Sequence, residues 1–331
     1  MTAALVVMLG LSVGAEGFML ANPPLVRHMR HISSSSMSLQ QRWTCRQPSL
    51  RKSTMPRMAS TLETDTSLLT MIEEAQSGDT IVLGKGNYVL PQPVVLSKDV
   101  TIKAEDGLLP TDVVIVGEAP RDKRGVMITV SGANVKLQGV KIVHKGGSIP
   151  GTLSNGLGSI CMMVLEPGDG RNSKLSLDEC FVTTETSTAV FVTGGTSRVY
   201  VDTCTIGPCG WDVESSSGYG ICIFKGAHGE VLNTDVFRCS QSGIIAFYEG
   251  STALVIQCDV GPCQLGGIAA EGQRAQMKAS KVKLIDIEWK NCAEYDGGEV
   301  ILLDEVQALV NGETVVLNDD NKCETRPKPF F

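Results

Sequence analysis

The amino-acid sequence predicts an all-β solenoid of stacked parallel coils, and three observations carry that expectation. An eight-residue pattern, apolar at its first, third, sixth and eighth positions, recurs six times, from Val135, Leu175, Val199, Leu232, Ala253 and Met277. Of its 24 template positions only Thr234 is polar. Alternation of period two is the mark of a strand with one buried face. The alternation slips at the fifth position, where two outward residues come together, so each copy reads as two short strands joined at a bend. Each copy is followed by a Gly-punctuated apolar run, such as Gly220-Ile221-Cys222-Ile223-Phe224, Gly243-Ile244-Ile245-Ala246-Phe247 or Gly267-Ile268-Ala269-Ala270, which supplies a third strand. The copies are 40, 24, 33, 21 and 24 residues apart. No single coil buries its own inward side chains, so the coils must stack.

Along the chain, residues 1–17 read as a signal peptide. The apolar run Ala3 to Ala15 ends in Ala15-Glu16-Gly17, with cleavage expected before Phe18. Residues 18–60 contain no Asp or Glu, but they do contain Arg27, Arg30, Arg42, Arg46, Arg51, Lys52 and Arg57 in a Ser-rich stretch, the composition of a transit peptide. Together they resemble the bipartite leader of algae with complex plastids, which implies a chloroplast destination through the secretory pathway; plain secretion is the alternative. Residues 61–310 form the solenoid domain, and 311–331 a C-terminal cap and tail. No segment of the expected mature chain is long and apolar enough for a membrane helix.

The net charge is −7, but residues 61–331 hold 22 basic against 35 acidic groups, a balance of −13 that argues against nucleic acid as a partner. Eleven cysteines are present, ten of them after residue 60. Cys180, Cys204 and Cys258 share one inward template position and are expected as an interior ladder of small apolar groups, with disulfides or metal binding as the lesser alternatives. Cys204-Thr205-Ile206-Gly207-Pro208-Cys209 and Cys258-Asp259-Val260-Gly261-Pro262-Cys263 are two copies of one turn.

The stretch Ile72-Glu73-Glu74-Ala75-Gln76-Ser77-Gly78-Asp79-Thr80-Ile81-Val82-Leu83, with Gly86-Asn87-Tyr88, Leu96 and Lys98-Asp99-Val100-Thr101-Ile102, resembles the opening of right-handed parallel β-helix proteins of the pectin-lyase-like fold. The resemblance covers residues 67 to about 310. It implies a short N-terminal capping helix that plugs the solenoid, and Leu68, Leu69, Ile72 and Ala75 have the spacing for it. The family includes lyases, hydrolases, esterases, epimerases and non-catalytic modules, so fold alone does not imply activity.

Chemistry is sought in the fourth template position, which faces outward: Gln138, Asp178, Asp202, Asp235, Ile256 and Ser280. Three successive coils thus offer Asp in one column, and like charges on neighbouring strands raise one pKa or recruit a cation such as Ca²⁺. The strand Val199-Tyr200-Val201-Asp202-Thr203-Cys204 resembles the pectate-lyase strand whose Asp helps to hold Ca²⁺, which implies Asp202, and Asp178 by column, as metal ligands. Thr203 stands where that family has His, and after Tyr219-Gly220 the Asp-Pro-His of alginate epimerases is missing. His144 and His228 are expected in loops. Lys225, Glu249, Glu271 and Asp304 follow inward strands, and Trp211, Tyr219, Tyr248 and Trp289 are candidates for sugar stacking or, as isolated aromatics, for covering the solenoid's side.

Two functions follow as expectations. The first is a non-catalytic module binding protein or carbohydrate along the solenoid side, with no cofactor. The second is a Ca²⁺-dependent lyase or epimerase of uronic-acid polymers, with Asp178, Asp202 and Asp235 as candidate catalytic residues. The second needs a base or cation facing the acidic column, for which Arg198, Lys225 and Arg238 are the candidates near in sequence.

Overall fold

The computed structural model describes residues 67–118, 125–145, 160–185, 187–211, 218–310 and 312–322. The chain divides into residues 1–59 with 329–331, which lie outside the described residues, and residues 60–328, which hold every element below. The leader segments 1–17 and 18–60, and the tail beyond Lys322, therefore lie outside the description.

Three walls of parallel strands make a right-handed parallel β-helix. The first wall has nine strands, among them Asp79–Leu83, Val100–Ala104, Asn134–Gln138, Ser173–Asp178, Ser197–Asp202, His228–Leu232 and Thr252–Ile256. The second has ten, including Lys141–Lys145, Phe181–Thr184, Thr205–Cys209, Asp235–Val236 and Asp259–Val260. The third has eight, including Ile160–Leu165, Thr188–Thr193, Ile221–Phe224, Ile244–Phe247, Gly266–Glu271 and Lys290–Tyr295. Among the described residues only the last strand of the second wall, Glu313–Val316, runs antiparallel to its neighbour, Gln307–Val310. Among the described residues no helix is long and apolar enough to cross a membrane.

The expected plug is present as helix α1, Leu68–Glu74. The Ser67 hydroxyl accepts from the Thr70 N–H at 3.2 Å and so caps the first turn. Leu68 and Ala75 are buried, and Leu69 and Ile72 pack against the same core, which seals the open end of the tube.

The bend between first and second walls explains the broken alternation. From the third coil onward one residue per coil turns the chain in the left-handed region: Gly139, Glu179, Thr203, Asn233, Gln257, Lys281 and Glu305, with φ from 44° to 65°. On either side the inward positions resume, and the template residues Val135, Leu137, Val140, Ile142, Leu175, Leu177, Val182, Val199, Val201 and Ile206 are all buried.

One copy of the pattern is set differently from the sequence expectation. Val199 and Val201 pair with Gly229 and Val231, so the fourth inward quartet is Gly229, Val231, Thr234 and Val236, not Leu232, Thr234, Phe237 and Cys239. Leu232 and Phe237 are half-buried on outer faces. The cause is Gly229, an inward position with no side chain to report itself. A Cβ there would come within 2.5 Å of Ile223 Cδ1 and 3.2 Å of Val199 Cγ1, so neighbouring side chains fill its place.

Cys180, Cys204 and Cys258 do lie inside, in one column with Thr234 between them. The Cys180 N–H donates to Cys204 Sγ at 3.3 Å, and the Cys204 N–H to the Thr234 hydroxyl at 3.2 Å. A second thiol column, Cys209, Cys239 and Cys263, follows on neighbouring coils of the second wall. It faces glycines: a Cβ on Gly220 would be 3.3 Å from Cys239 Sγ, and one on Gly243 equally close to Cys263 Sγ. Small groups on one side and bare backbone on the other let the walls close with native density. The nine described cysteines are all buried, and Cys161, Cys180, Cys204, Cys209, Cys222, Cys239, Cys258 and Cys263 are free thiols.

Neither histidine is in a loop. His144 is fully buried in the second wall, in register with Thr184. Its Nδ1 lies 3.0 Å from the Thr184 hydroxyl and 3.3 Å from that of Ser187, while Nε2 has no hydrogen-bond partner among the described residues. His228 is on a first-wall strand.

Candidate functional site

Asp178 and Asp202 are in-register neighbours on the first wall. They are not bare charges. Lys136 Nζ reaches Asp178 Oδ2 at 2.9 Å, and Asp202 Oδ1 accepts from the Thr203 hydroxyl at 3.1 Å and from Asn233 Nδ2 at 2.8 Å. Lys136, one coil upstream across a long insertion, is thus the cation that meets the acidic column. Arg198 is on the same wall, Lys225 is on the third-wall side, and Arg238 is exposed beyond the second-wall strand Asp235–Val236.

Asp235 does not continue that column. The residue after Asp202 in the first wall is Leu232, and Asp235 sits beyond the bend in the second wall, between Thr205 and Asp259. The correction follows from the Gly229 register: the bend falls at Asn233, which carries Asp235 round the corner. Burial, then the neighbouring Asp259, holds its carboxyl above the usual carboxylate range.

The donors on the first wall do not fit a calcium ion. Ca²⁺ takes about six to eight oxygens. Here one of two carboxylates is matched to an ammonium and the other accepts two hydrogen bonds, and among the described residues no group of three His, Cys, Asp or Glu side chains is placed to hold a metal.

The third wall carries a different feature. The outward side chains of a solenoid wall ordinarily meet water, yet Ile160, Phe191, Cys222, Ile245, Ala269 and Ala293 form a buried apolar cluster separate from the interior. Met163, Tyr219, Phe224, Phe247 and Tyr295 pack against it, partly buried. The aromatic rings touch in series. Phe191 and Phe224 have centroids 5.4 Å apart, Phe224 and Phe247 5.5 Å, and Tyr248 meets both Phe224 and Phe247 edge-on at 4.9 and 4.8 Å. Trp289 stacks on Tyr295 at 6.0 Å. Parallel register explains the series, since Thr193, Phe224, Phe247, Glu271 and Tyr295 occupy one outward column.

Glu271 stands in that column between Phe247 and Tyr295. Its carboxyl is held above the ordinary range, first by burial and then by Asp296. Burial likewise pushes up the Tyr219 phenol and the Cys222 thiol, with the Glu271 charge adding to both. Lys225 lies over the Phe224 ring at 5.3 Å, and Lys290 over Trp289 and Tyr295 at 5.0 and 4.7 Å. Glu249 is exposed, 3.6 Å from Arg274, and Asp304 is exposed on the first wall. Three of the four sugar-stacking candidates, Tyr219, Tyr248 and Trp289, are therefore not isolated but members of an aromatic face; Trp211 is half-buried. Phe191, Phe224, Phe247 and Tyr295 carried no motif. Their signal was the run Ile221-Cys222-Ile223-Phe224, apolar at both alternating positions where a one-sided wall needs only one.

Walls of this topology make the chain a right-handed parallel β-helix protein. The family model described as a right-handed β-helix region matches residues 152–301. Solved structures with a similar fold include the pectin methylesterase PemA from Erwinia chrysanthemi, 10% identical over 80% of this chain and 85% of that one, with a TM-score of 0.46. The pectin methylesterase from Aspergillus niger is 12% identical over 80% and 92%, with a TM-score of 0.48. The pectate lyase Pel9A is 10% identical over 74% and 72%, with a TM-score of 0.45. No curated protein matches the chain in sequence.

Proposed function

We propose that the protein is a non-catalytic β-helix module that binds carbohydrate along its third wall. The observation that carries this reading is the partly exposed outward aromatic series Phe224, Phe247 and Tyr248, packed on the buried Phe191 and continued past Glu271 by Tyr295 and Trp289. Planar apolar rings spaced along a parallel ladder offer a stacking surface to sugar rings, which are apolar on their faces and polar at their edges. Glu271, within the series, and the Lys225 and Lys290 ammoniums beside it supply the hydrogen-bonding groups of that surface. The acid-free segment 18–60 supports delivery of the module to a plastid, with secretion as the other outcome of a localisation experiment.

The reading is tested with a panel of soluble neutral and acidic polysaccharides in a binding assay, in parallel with absorbance for unsaturated product in calcium. The expected result is saturable binding, reduced about tenfold or more by Phe224→Ala or Tyr248→Ala, with every polymer recovered intact. Release of unsaturated product would overturn it in favour of a lyase, and binding indifferent to both substitutions would remove the third wall as the site.

A further inference from the structure

The first wall holds a cationic group that neither the Asp178–Lys136 pair nor the third wall uses. Residues 61–331 carry a charge of −13. Against that background Lys174 and Arg198 are register partners on adjacent strands, their backbones about 4.8 Å apart. Neither has an acidic partner among the described residues, and both are half-buried. Lys174 Nζ is 4.2 Å above the Tyr200 ring. Arg198 is anchored through one terminal nitrogen to the carbonyls of Gly195 and Ser197, at 2.9 and 3.0 Å. These contacts hold the cations in place and leave their remaining N–H groups uncommitted.

Beside them runs a groove of ≈ 280 Å³, lined by Lys174 and Lys136 together with Thr101, Asn134, Ser176 and Asp99. Asp99 lies at one end of the lining, where its Oδ1 accepts the Asn134 backbone N–H at 2.7 Å and the Asn134 side-chain amide at 3.4 Å. The groove therefore brings the Lys174 ammonium, the Lys136 ammonium that also holds Asp178, and the hydroxyls of Thr101 and Ser176 together from three neighbouring strands. Its volume is near the lower limit of small-ligand sites.

We propose that this groove is an anion site for a tetrahedral oxyanion ester on a sugar, a sulfate or a phosphate. Donors that reach it from several strands suit an anion with oxygens in several directions. A planar carboxylate is best met by the two parallel N–H bonds of one guanidinium, whereas the cations lining this groove are ammoniums and Arg198 stands one strand beyond Lys174. Ammoniums act as point charges and suit the tetrahedral group. The site is independent of carbohydrate stacking on the third wall.

The test is titration calorimetry on the full chain at low salt with glucose 6-sulfate, glucose 6-phosphate, inorganic sulfate, inorganic phosphate and glucuronate. Saturable binding of at least one sugar ester, weakened about tenfold or more by Lys174→Gln and further by Lys174→Gln with Arg198→Gln, is expected, with an unchanged melting temperature confirming the fold. The two esters distinguish sulfate from phosphate, and the inorganic ions show whether the sugar contributes. Phe224→Ala should leave this binding unaltered, so it can fail or stand separately from the third-wall reading. The proposal is overturned if no sugar ester binds, if glucuronate binds as well as the esters, or if Lys174→Gln changes nothing.

Discussion

Protonation of His144 has no room inside the tube. Burial holds its imidazole down to about 4, against an ordinary value of 6.5, while Thr184 and Ser187 occupy Nδ1. The unfolded chain takes up this proton below about pH 6.5 and the folded chain does so only near pH 4, so the contribution to stability is complete above 6.5 and lost as pH falls towards 4. That difference corresponds to about 3 kcal/mol. Urea denaturation at pH 7 and pH 4.5 should show a smaller loss in His144→Leu than in the wild type; equal losses would place the imidazole in contact with water. The same scale shows how much of the candidate site was legible in the sequence. Adjacent placement of Asp178 and Asp202 followed from pattern spacing alone, because their coils are of regular length. Lys136 was passed over because the cations were sought near the Asp residues in sequence, although the template already aligns Val135 with Leu175 and so sets Lys136 beside Ser176; His144 was hidden by its single polar side chain in a strand too short to show a phase.

At the scale of the element, Gly229 decides where a whole coil lies. A hydrophobicity template finds inward positions by their side chains, and this one has none, so the pattern slid three residues to Leu232 and took Asp235 with it. The occupied space around the glycine makes a sharp expectation: Gly229→Val drives a side chain against Ile223 and Val199 and should cost about 1–3 kcal/mol, read from the urea midpoint. A neutral substitution would mean that the coil keeps the register of Leu232 after all. The bend itself was legible, since two adjacent outward residues in each copy coincide with the left-handed residue between the first two walls. The third wall was legible as strands but not as a surface. Its apolar run reads equally well as a strand buried on one side with conservative alternates and as one buried on both, and only the outward positions of Phe191, Cys222, Ile245, Ala269 and Ala293 separate the two.

For the whole molecule, stacking gives three long faces with distinct chemistry. The first displays the Lys136–Asp178 pair and the Lys174–Arg198 cations, the second the neighbouring Asp235 and Asp259, and the third an aromatic layer. Solenoids suit this division, because each face repeats with the coil and is altered without disturbing the shared interior. The central claim is that carbohydrate meets the third wall and leaves it unchanged. The most direct measurement is hydrogen exchange of the full chain with and without the tightest-binding oligosaccharide, followed by analysis of the recovered sugar. The account predicts slowed exchange confined to the segments around 219–225, 244–248 and 290–295, with the oligosaccharide at its original length. Protection centred on the first or second wall, or a shortened or unsaturated sugar, would contradict it.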